Sequence, residues 1–554
     1  MAVHLYEEHG LEAFDRLEGQ FAIAIWDGNL ETLVLARDRM GEKPLYYHES
    51  TSRILFASEL RALLADPGIA ASPDDLAIHH YLTFKYVPSP STGIRGIRKL
   101  PAGHLLHWER GRASLKRYAS LPRPQEAREA LGRGGGGSDE TLADQVREEI
   151  ARSVAGRLES DVPIGVLLSG GIDSAIVAYE ASRARGGRLA TFTVGFDESD
   201  YDETRAAAAV AAHLGTDHHP LRVRPDVAAA LPEMVAHFGE PFGDSSAAAV
   251  WFLAREVRRH VTVALGGDGG DELFGGYDRH RAIRLYGELG RSRASVLGPL
   301  LSRVTGSLPL ARSRRSLVGR LERFVQGSAM EPLEANNTLL TVFSDTEKSA
   351  LYTAGLDARM LDIDSVNLLR RFYADAADPL DDILYADLCL GLADQLLPKV
   401  DIAAMASALE VRSPFLDRDL VRLALALPSR LKVGRRRGKQ ILRAAYSGRL
   451  PKRTLAGRKA GFGLPVDRWM RGPLREMSRD LLLDGRSAAR GYFQRGTIER
   501  LLEEHVSGRA NHDDRIWALL CLEIWFRTFI DAGASAASTA GRESAGRAAK
   551  DGAA

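Results

Sequence analysis

Alternating apolar and polar positions mark the first part of the chain as a region of short strands and turns. The segments Phe21 to Asp27 and Glu31 to Asp38 both fit a strand pattern, and the pair Gly28-Asn29 lies between them. A pair of this kind between two strand segments predicts a β-hairpin. We therefore expect residues 1–118 to fold as short strands connected by turns.

A change in composition follows this region. Residues 119–138 contain two prolines, an Ala/Arg/Glu stretch and a Gly-rich run that ends at Ser138, which together indicate a linker. Apolar residues at i, i+4 spacing then predict a helix, at Leu142, Val146, Ile150 and Val154.

Uninterrupted apolar runs in the middle of the chain predict strands that are buried on both faces. Three such runs lie at Ile164 to Leu168, Ala190 to Val194 and Val261 to Leu265, with helical stretches between them. This order predicts a doubly wound parallel sheet, and residues from about 280 to 530 fit a mostly helical region. The Ala/Gly/Ser-rich tail after Asp531 is expected to be disordered.

Composition narrows the classes of function. The chain has 554 residues, which favours more than one domain, and its formal net charge is +1, which gives no global attraction to nucleic acid or membranes. No apolar run approaches the ~18–20 residues of a membrane helix, and no signal segment opens the chain, so we expect a cytoplasmic protein. Cys389 and Cys521 lie among apolar residues and are expected to be buried and inert.

The segment Ser169 to Ser174, SGGIDS, carries the first chemical signal. It follows a predicted buried strand and precedes a helical stretch. Glycines let the backbone approach a ligand closely, and the unpaired N–H groups at a helix start form an anion site. Asp173 would repel phosphate groups there unless a metal ion lay between them. The segment predicts a phosphate site with a metal ion, and a polar-capped turn is the alternative.

A second segment rich in glycine and acids runs from Leu265 to Tyr277. It also follows a predicted buried strand, and ligands of doubly wound sheets collect at the carboxyl ends of strands. Carboxylates facing a phosphate cradle form a magnesium site, and an acidic surface loop is the alternative. A third segment, Thr191 to Glu203, contains Val194 and Gly195 at a strand end, where backbone contacts would clamp an adenine.

These segments resemble the ATP loops of the asparagine synthetase family. SGGIDS is similar to the family's pyrophosphatase-type ATP loop, and GGDGGDELFGGY to its pyrophosphate loop. Later similar segments are Lys399 to Asp417, Gly457 to Trp469 and the lysine of GKQILR, Lys439. Segments that resemble the back half of the family's glutaminase domain are Ala36 to Tyr47, Phe56 to Leu64 and Ile97 to His104. The resemblance spans about residues 3–530.

The resemblance implies an α/β protein of two domains. Residues 1–118 would form a partial αββα sandwich of the glutaminase type, and residues 119–138 would be the linker. Residues 139–530 would form a doubly wound, parallel-sheet ATP-pyrophosphatase domain with many helices. Residues 531–554 would be a disordered tail.

The resemblance also implies an amide-forming ligase. In the family a substrate carboxylate attacks the α-phosphate of ATP, pyrophosphate leaves, and ammonia attacks the acyl carbon of the acyl-AMP. The implied cofactors are ATP and Mg²⁺, and the implied substrates are aspartate or another carboxylate, with ammonia or glutamine. Asparagine formation is the leading interpretation, while amidation of a sugar, a peptide or a secondary metabolite stays open. No nucleic-acid or membrane partner is expected, and a homodimer is a candidate assembly.

The resemblance assigns roles to particular residues. Asp268, Lys439 and Asp394 would be catalytic: Asp268 matches an acid linked to acyl-AMP formation, and Lys439 would stabilise the pentavalent phosphorus and the departing pyrophosphate. Asp173 and Asp271 would bind Mg²⁺. The residues that would contact the nucleotide are Leu167, Ser169, Gly170, Gly171, Asp173, Ser174, Val194, Gly195, Gly266 and Gly267.

Two departures from the family pattern affect the expected substrates. The second residue is Ala2, where the family's glutaminases use an N-terminal Cys whose own α-amino group is the general base. The first strands of that domain are also missing, so we expect no glutamine hydrolysis by the sequence as written; an upstream start and a truncated, ammonia-using enzyme are the two explanations. Some synthetases carry threonines and an arginine for aspartate where this chain has Asp244, Ser245 and Ser246.

Two other functions are alternatives to the ligase. A tRNA-modifying ATP-pyrophosphatase of the sulfur-transferring type would need reactive cysteines and a basic surface. A non-catalytic nucleotide-binding partner protein would be expected to have decayed ATP loops. The histidines His213, His218 and His219 are interpreted as an ordinary helix-to-strand surface and not as a metal cluster.

Overall fold

The computed structural model describes residues 1–133, 137–185, 188–196, 198, 202–289, 330–373, 378–457 and 463–531. The predictions for the glycine run at 134–136, for helices at 290–329 and for a disordered tail from 532 onward lie outside the described residues.

The described chain is a mixed α/β protein with one parallel and two antiparallel sheets. The strands, in chain order, are β1 (Ala22–Asp27), β2 (Thr32–Arg37), β3 (Tyr46–Glu49), β4 (Ile54–Ala57), β5 (Ile97–Lys99), β6 (His104–Glu109), β7 (Arg112–Arg117), β8 (Ile164–Leu167), β9 (Ala190–Gly195), β10 (Asp217–Arg222), β11 (Val263–Leu265) and β12 (Glu410–Arg412).

Helices account for most of the rest of the described chain, as expected beyond residue 280. The α-helices are Ala2–His9, Ala13–Arg16, Leu60–Leu63, Asp75–Phe84, Pro124–Arg133, Asp139–Arg157, Ile172–Arg185, Thr204–Leu214, Val227–Phe238, Ser246–Val257, Gly270–Phe274, Asp278–Leu289, Pro332–Leu340, Asp345–Leu351, Ala354–Met360, Asn367–Arg370, Pro379–Ala386, Leu397–Met405, Arg418–Ala426, Ser429–Lys432, Gln440–Ala445, Lys452–Ala456, Val466–Arg471, Arg475–Leu482, Gly485–Ala489, Arg495–Val506 and Asp513–Trp525. Asp387–Leu396 and Phe526–Asp531 are π-helical, and Gly10–Glu12 and Pro414–Leu416 are 3₁₀-helical. Within the described ranges, no helix combines the length and the apolar character needed to cross a membrane.

The two antiparallel sheets lie in the first 118 residues and pack against each other. The four-stranded sheet has the order β1-β2-β6-β7 and the three-stranded sheet the order β4-β3-β5. Leu35 and Leu106 of the larger sheet share one core with Tyr47 of the smaller sheet. On its other face the larger sheet packs against the N-terminal helices, where Phe14 contacts Val34. The result is a layered arrangement of helices and two sheets.

The predicted hairpin is confirmed as β1 and β2, with a longer turn than the Gly28-Asn29 pair predicted. Asp27 pairs with Thr32, so residues 28–31 form the loop. The Asp27 carboxylate accepts the N–H of Asn29 at 2.9 Å and that of Leu30 at 3.1 Å. This side-chain capping lets the longer loop close.

The parallel sheet has the order β10-β9-β8-β11-β12, and every neighbouring pair is parallel. The three predicted buried strands are confirmed, although β11 begins two residues later than the predicted run, at Val263. Val166 and Val263 belong to one apolar core, whereas Val194 and Ala264 belong to another, so both faces are covered. The carboxyl ends of β8, β9 and β11 therefore lie side by side.

The predicted linker contains an ordered helix, Pro124–Arg133. Its Ala127 is buried, and the guanidinium of Arg128 forms an ion pair with the buried carboxylate of Asp381. Proline and glycine dominate the composition at both ends of this segment, but the Ala/Arg/Glu stretch between them has a face that packs. The structure therefore differs from an irregular linker over these ten residues.

Buried polar contacts join the first 118 residues to the rest of the chain. Lys99 Nζ lies 2.9 Å from Glu240 Oε1, and both side chains are buried. Lys43 Nζ lies 2.6 Å from Asp401 Oδ1. Since the Lys99–Glu240 pair is removed from water, loss of either partner would leave an uncompensated buried charge. The two parts of the chain are held together closely enough to build a shared cavity.

Candidate active site

A cavity of about 1410 Å³ opens at the carboxyl ends of β8, β9 and β11. Leu167, Val194 and Gly266, which lie at the ends of these strands, line it. Most of the residues predicted from the sequence line this cavity: Leu167, Ser169, Gly170, Gly171, Asp173, Ser174, Val194, Gly266, Gly267, Asp268, Asp271 and Lys439. The predicted residues Gly195 and Asp394 are not among the residues that line it.

The SGGIDS loop is closed by its own two serines. Ser174 Oγ accepts the N–H of Ser169 at 3.1 Å and lies 3.0 Å from Ser169 Oγ. It also lies 3.2 Å from the carbonyl oxygen of Gly171, as a donor. The helix Ile172–Arg185 starts directly after this turn, so its first N–H groups face the cavity and favour an anion.

Glycines let the SGGIDS loop approach its neighbours without side chains between them. Gly170 has φ +76° and faces the helix Thr204–Leu214, where a Cβ would lie 2.6 Å from the Ala206 Cβ. A Cβ on Gly267 would lie 3.0 Å from the Ser174 backbone nitrogen. Any larger residue at either position would force the backbones apart, so the glycines are a packing requirement as well as an opening for a ligand.

Lys439 enters the cavity between the two carboxylates predicted to bind a metal ion. Its Nζ lies 2.5 Å from Asp271 Oδ1 and also pairs with the carboxylate of Asp173. The side chain is almost fully buried, and its residue has φ +58°, an uncommon conformation for a non-glycine residue. The Lys439 N–H bonds to the Phe274 carbonyl at 3.1 Å, which anchors this conformation. Three residues from distant segments thus converge at one point.

Asp173 retains one uncommitted oxygen at this point. Its Oδ1 is buried and has no hydrogen-bond partner among the described residues. A carboxylate oxygen of this kind suits Mg²⁺, which is usually held by one or two protein carboxylates together with substrate phosphates. The donor set of Asp173 and Asp271 therefore fits a magnesium ion carried by a nucleotide. A separate three-acid group in the described chain, at Glu149, Asp417 and Asp419, is balanced by Arg152.

A buried ionic network that the sequence did not reveal forms part of the cavity wall. Asp387 Oδ2 lies 2.6 Å from Arg279 Nη1 and 2.7 Å from His280 Nε2. Burial raises the pKa of Asp387, but the neighbouring Arg279 outweighs it and the net pKa lies below its ordinary value. Burial lowers the pKa of His280 to about 4. Asp387 is therefore an anion at neutral pH that fixes Arg279 beside the pyrophosphate loop.

Tyr277 links this network to the loop itself. Its hydroxyl donates to the Glu272 carboxylate, and Arg279 stacks over its ring at 4.6 Å from the centroid. Burial raises the pKa of both Glu272 and Tyr277. These contacts keep the end of the pyrophosphate loop rigid.

Asp394 lies at the contact between the first 118 residues and the rest of the chain. Its Oδ2 accepts the N–H of Ser89 at 2.8 Å, and its Oδ1 accepts the Ser89 hydroxyl at 2.6 Å. The carboxylate is therefore committed to Ser89, and the catalytic role of Asp394 stays a prediction.

Gly195 is close-packed, since a Cβ there would lie 2.6 Å from Thr204 Cγ2, while its neighbour Val194 reaches the cavity.

The predicted substrate segment reaches the same cavity through Asp244 and Ser246. Asp244 Oδ1 accepts the Ser246 N–H at 3.0 Å and its hydroxyl at 2.7 Å, and Oδ2 accepts Gln395 Nε2 at 2.9 Å. Burial raises the pKa of this carboxyl, but Lys399 and Lys85 outweigh it and lower the pKa to about 2. Lys399 and Lys85 thus supply positive charge near Asp244, whereas the residues Asp244, Ser245 and Ser246 include no arginine.

Both cysteines are free; Cys521 is buried as expected, whereas Cys389 is only partly buried. Burial raises the pKa of Cys389 to about 11 and also raises the pKa of Cys521. Because the thiolate is the reactive form, these thiols are poor nucleophiles, as expected from their apolar surroundings.

Comparison with known proteins identifies the family. A family model described as asparagine synthase matches residues 145–527, which is more than half of the chain. The chain belongs to the asparagine synthetase family. A second model, described as a glutamine amidotransferase domain, matches residues 1–119. The resemblance noted from the ATP loops is thereby confirmed, and the chain is an ATP-dependent carbon–nitrogen ligase of the glutamine-hydrolysing asparagine synthase type.

Individual relatives match over most of their length. Asparagine synthetase [glutamine-hydrolyzing] 1 of Bacillus subtilis (strain 168) is 30% identical over 533 residues, which are 94% of this chain and 79% of the relative. Asparagine synthetase [glutamine-hydrolyzing] 3 of the same organism is 28% identical, covering 83% of this chain and 69% of the relative. Amidase chry2 of Gibberella zeae is 27% identical, covering 87% of this chain and 75% of the relative. Family membership alone thus leaves the amidated carboxylate open.

Proposed function

We propose that this ligase makes asparagine from aspartate. The β-carboxylate of aspartate attacks the α-phosphorus of ATP, the bond to the β-phosphate breaks, and pyrophosphate leaves. Ammonia then attacks the acyl carbon of the acyl-AMP, and AMP and a proton depart. The observation that carries the proposal is the convergence of Lys439, Asp173 and Asp271 where two glycine loops meet in one cavity.

The loop residues have a direct role in this scheme. The pyrophosphate is held by backbone N–H groups of residues 169–174, at the start of the helix Ile172–Arg185. These groups can bind an anion directly, because the glycines place no side chain in front of them. Lys439 supplies a buried cation where negative charge develops on the phosphorus. Leu167, Val194 and Gly267 contact the nucleotide, and Asp268 acts in acyl-AMP formation.

The metal-binding role is proposed for Asp173 and Asp271. Bound there, Mg²⁺ would neutralise the charge of the phosphates that it contacts. Asp173 Oδ1, buried and without a hydrogen-bond partner among the described residues, is the atom most suited to it. Lys439 occupies the position between the two carboxylates and would balance their charge when the metal is absent.

The chain organisation proposed from the sequence accompanies this function. Residues 1–118 form a domain of the αββα glutaminase type, and residues 139–530 form the doubly wound synthetase domain. The packed antiparallel sheets and the helix-covered parallel sheet support this division. Ammonia is the nitrogen donor at the synthetase site, and glutamine is its source in the family.

Pyrophosphate release tests the proposal. The purified chain would be given ATP, Mg²⁺, aspartate and ammonium chloride, so that the result does not depend on glutamine hydrolysis. We expect pyrophosphate, AMP and asparagine in equal amounts, and none when aspartate is omitted. ATP binding without product from aspartate would overturn the substrate assignment.

A second candidate is amidation of a larger carboxylate. Apolar residues line part of the cavity, among them Val250, Leu253 and Leu340, and a relative carries the name of an amidase. If aspartate gives no product while ATP binds, the same assay with N-acylated and aromatic amino acids would identify such a substrate.

A further inference from the structure

A small cavity, separate from the candidate active site, lies where three parts of the chain meet. It has a volume of about 40 Å³, and its wall comes from residues 18–42, from the segment 119–122 and from the start of the helix Arg418–Ala426. Since one water needs roughly 10–15 Å³, the cavity has room for about three waters. This volume suits a small oxyanion and is too small for a nucleotide.

Arginines dominate the wall of this cavity: Arg39, Arg157, Arg418 and Arg422. Within the described ranges, the side chains of Arg418 and Arg422 form no hydrogen bond or ion pair and act on Asp15 only through a longer-range attraction. The buried Nε atoms of Arg39 and Arg418 also lack a hydrogen-bond partner in that part of the chain. Because a buried donor without an acceptor costs free energy, these groups favour an anion in the cavity.

The acids of the cavity balance only part of this positive charge. Asp417 lies 3.7 Å from Arg157, and it is also paired at 2.8 Å with Arg152, which lies outside the cavity. Burial raises the pKa of Glu42 to about 8, so its carboxyl is protonated at neutral pH and adds no negative charge. Glu18 is exposed to solvent. Four guanidinium groups thus face two other carboxylates, and this imbalance favours a doubly charged anion.

We propose that this cavity binds a doubly charged oxyanion of the inorganic phosphate class, held by Arg418 and Arg422 together with Arg39. A planar guanidinium donates two parallel N–H groups to the oxygens of such an anion. The ligand joins Arg39 of the first 118 residues to the helix Arg418–Ala426, so its binding strengthens the contact between these two parts of the chain. The site does not depend on the proposed reaction, because no residue lines both cavities.

Calorimetric titration of the full chain at neutral pH and constant ionic strength tests the proposal. The probes are inorganic phosphate, sulfate and acetate. We expect phosphate and sulfate to bind with saturation, and acetate, which carries one charge, to bind at least about 10-fold more weakly. Arg418→Gln and Arg422→Gln should each raise the Kd for sulfate roughly 10- to 100-fold, as for the loss of one charge-assisted hydrogen bond.

Two control variants separate this cavity from general charge effects and from the candidate active site. Arg479→Gln removes an exposed arginine of the helix Arg475–Leu482 that does not line the cavity. Lys439→Met removes the buried cation between the glycine-rich loops. Neither substitution should change the Kd for sulfate at this site.

Thermal unfolding provides a second measurement, because a ligand of the folded state raises the midpoint of unfolding. Sulfate and phosphate also stabilise proteins in general by their exclusion from the surface, so the informative quantity is the difference between variants. We expect sulfate to raise the midpoint of the wild type and of Arg479→Gln more than that of Arg422→Gln. Arg422 is exposed, so this variant carries the test if Arg418→Gln fails to fold.

Several outcomes would overturn the proposal. One is the absence of saturable sulfate binding by the wild type, and another is an unchanged Kd in both Arg418→Gln and Arg422→Gln. Loss of binding in Lys439→Met alone would place the anion at the glycine-rich loops instead. Equal affinity for acetate and sulfate would show that the site does not select a doubly charged anion.

Discussion

The ammonium group of Lys439 lies 2.5 Å from Oδ1 of Asp271, on the floor of the cavity where the SGGIDS loop meets the pyrophosphate loop. The contact joins residues that are far apart in the chain, and both side chains are largely withdrawn from water. A charge pair in such surroundings is strong and fixed in direction. If the metal ion of a nucleotide binds these carboxylates as we propose, Lys439 would lie close enough to turn toward the phosphates.

Replacing Lys439 should reduce turnover more than nucleotide affinity. Lys439→Met keeps the apolar stem and removes the charge, so stabilisation of the departing pyrophosphate is lost. We expect kcat to fall by about 10²–10³, the size seen when one transition-state donor is removed, with a small change in KM for ATP. Steady-state pyrophosphate release measures both constants.

Lys439→Arg is the matched control for this substitution, because it keeps the charge next to Asp173 and Asp271. The thermal midpoint of each variant must be compared with that of the wild type, since losing the lysine leaves two carboxylates facing each other. If the methionine variant raises KM for ATP and retains kcat, Lys439 serves ground-state binding only.

Asp394 should act through Ser89 and not by touching the substrate. Both of its oxygens are bonded to Ser89, and it is not one of the residues that line the cavity. Ser89→Ala removes the 2.6 Å hydroxyl bond, and Asp394→Asn weakens both bonds. We expect the two variants to change kcat in the same direction and the double variant to show non-additive effects, measured by pyrophosphate release with ammonium.

A different pattern would assign Asp394 a direct role. If Asp394→Asn abolishes activity while Ser89→Ala is close to wild type, the carboxylate contributes to catalysis independently of Ser89. Thr92→Ser, which keeps a buried hydroxyl in the same loop, is a control for disturbance of that segment.

The position of the two glycine-rich loops at the cavity could be predicted from sequence because the pattern that indicates it is local. In SGGIDS the glycines, hydroxyls and acid are adjacent, and the strand before them and the helix after them follow from apolar patterning. Gln395 could not be connected to Asp244 in this way, because their hydrogen bond depends on tertiary packing over about 150 residues of chain. The segment containing Lys399 was recognised, but its pattern says nothing about which side chain reaches the cavity.

Two other differences have similar causes. Arg279 and Asp387 carry no motif that indicates an ion pair, since each resembles an ordinary surface residue until the fold buries both. The helix Pro124–Arg133 was hidden by the prolines and glycines around it, whose composition indicates an irregular segment. Composition is averaged over a stretch of chain and so is dominated by the flanking prolines and glycines. A helix of ten residues can still form there if one of its faces packs against the protein.

That helix should contribute measurably to stability through Arg128. Its guanidinium pairs with Asp381, whose other oxygen is buried without a hydrogen-bond partner among the described residues. Arg128→Ala leaves this buried carboxylate with less compensation, and we expect a loss of about 1–2 kcal/mol. The value is below that of a fully buried pair because the Arg128 side chain is 36% exposed. Chemical denaturation measures it.

Glu129→Ala on the exposed face of the same helix is the control for this loss. It removes a charge from the helix without breaking a buried pair, so its effect should stay within about 0.5 kcal/mol. Equal losses for the two variants would mean that the Arg128–Asp381 pair makes no specific contribution to the stability of this segment.

Glu42 should make stability depend on pH. It is buried at the contact with Arg157, and burial raises its pKa from 4.5 to about 8. Between these values the unfolded chain has released the proton and the folded chain holds it, so the free energy of unfolding falls as pH rises from about 4.5 to 8. Glu42→Gln removes this dependence. The thermal midpoint of the variant should therefore rise relative to that of the wild type as pH increases from 5.5 to 8.5. Glu129→Gln, an exposed substitution, should track the wild type; a Glu42→Gln profile parallel to the wild type would show that Glu42 is ionised in the folded state throughout this range.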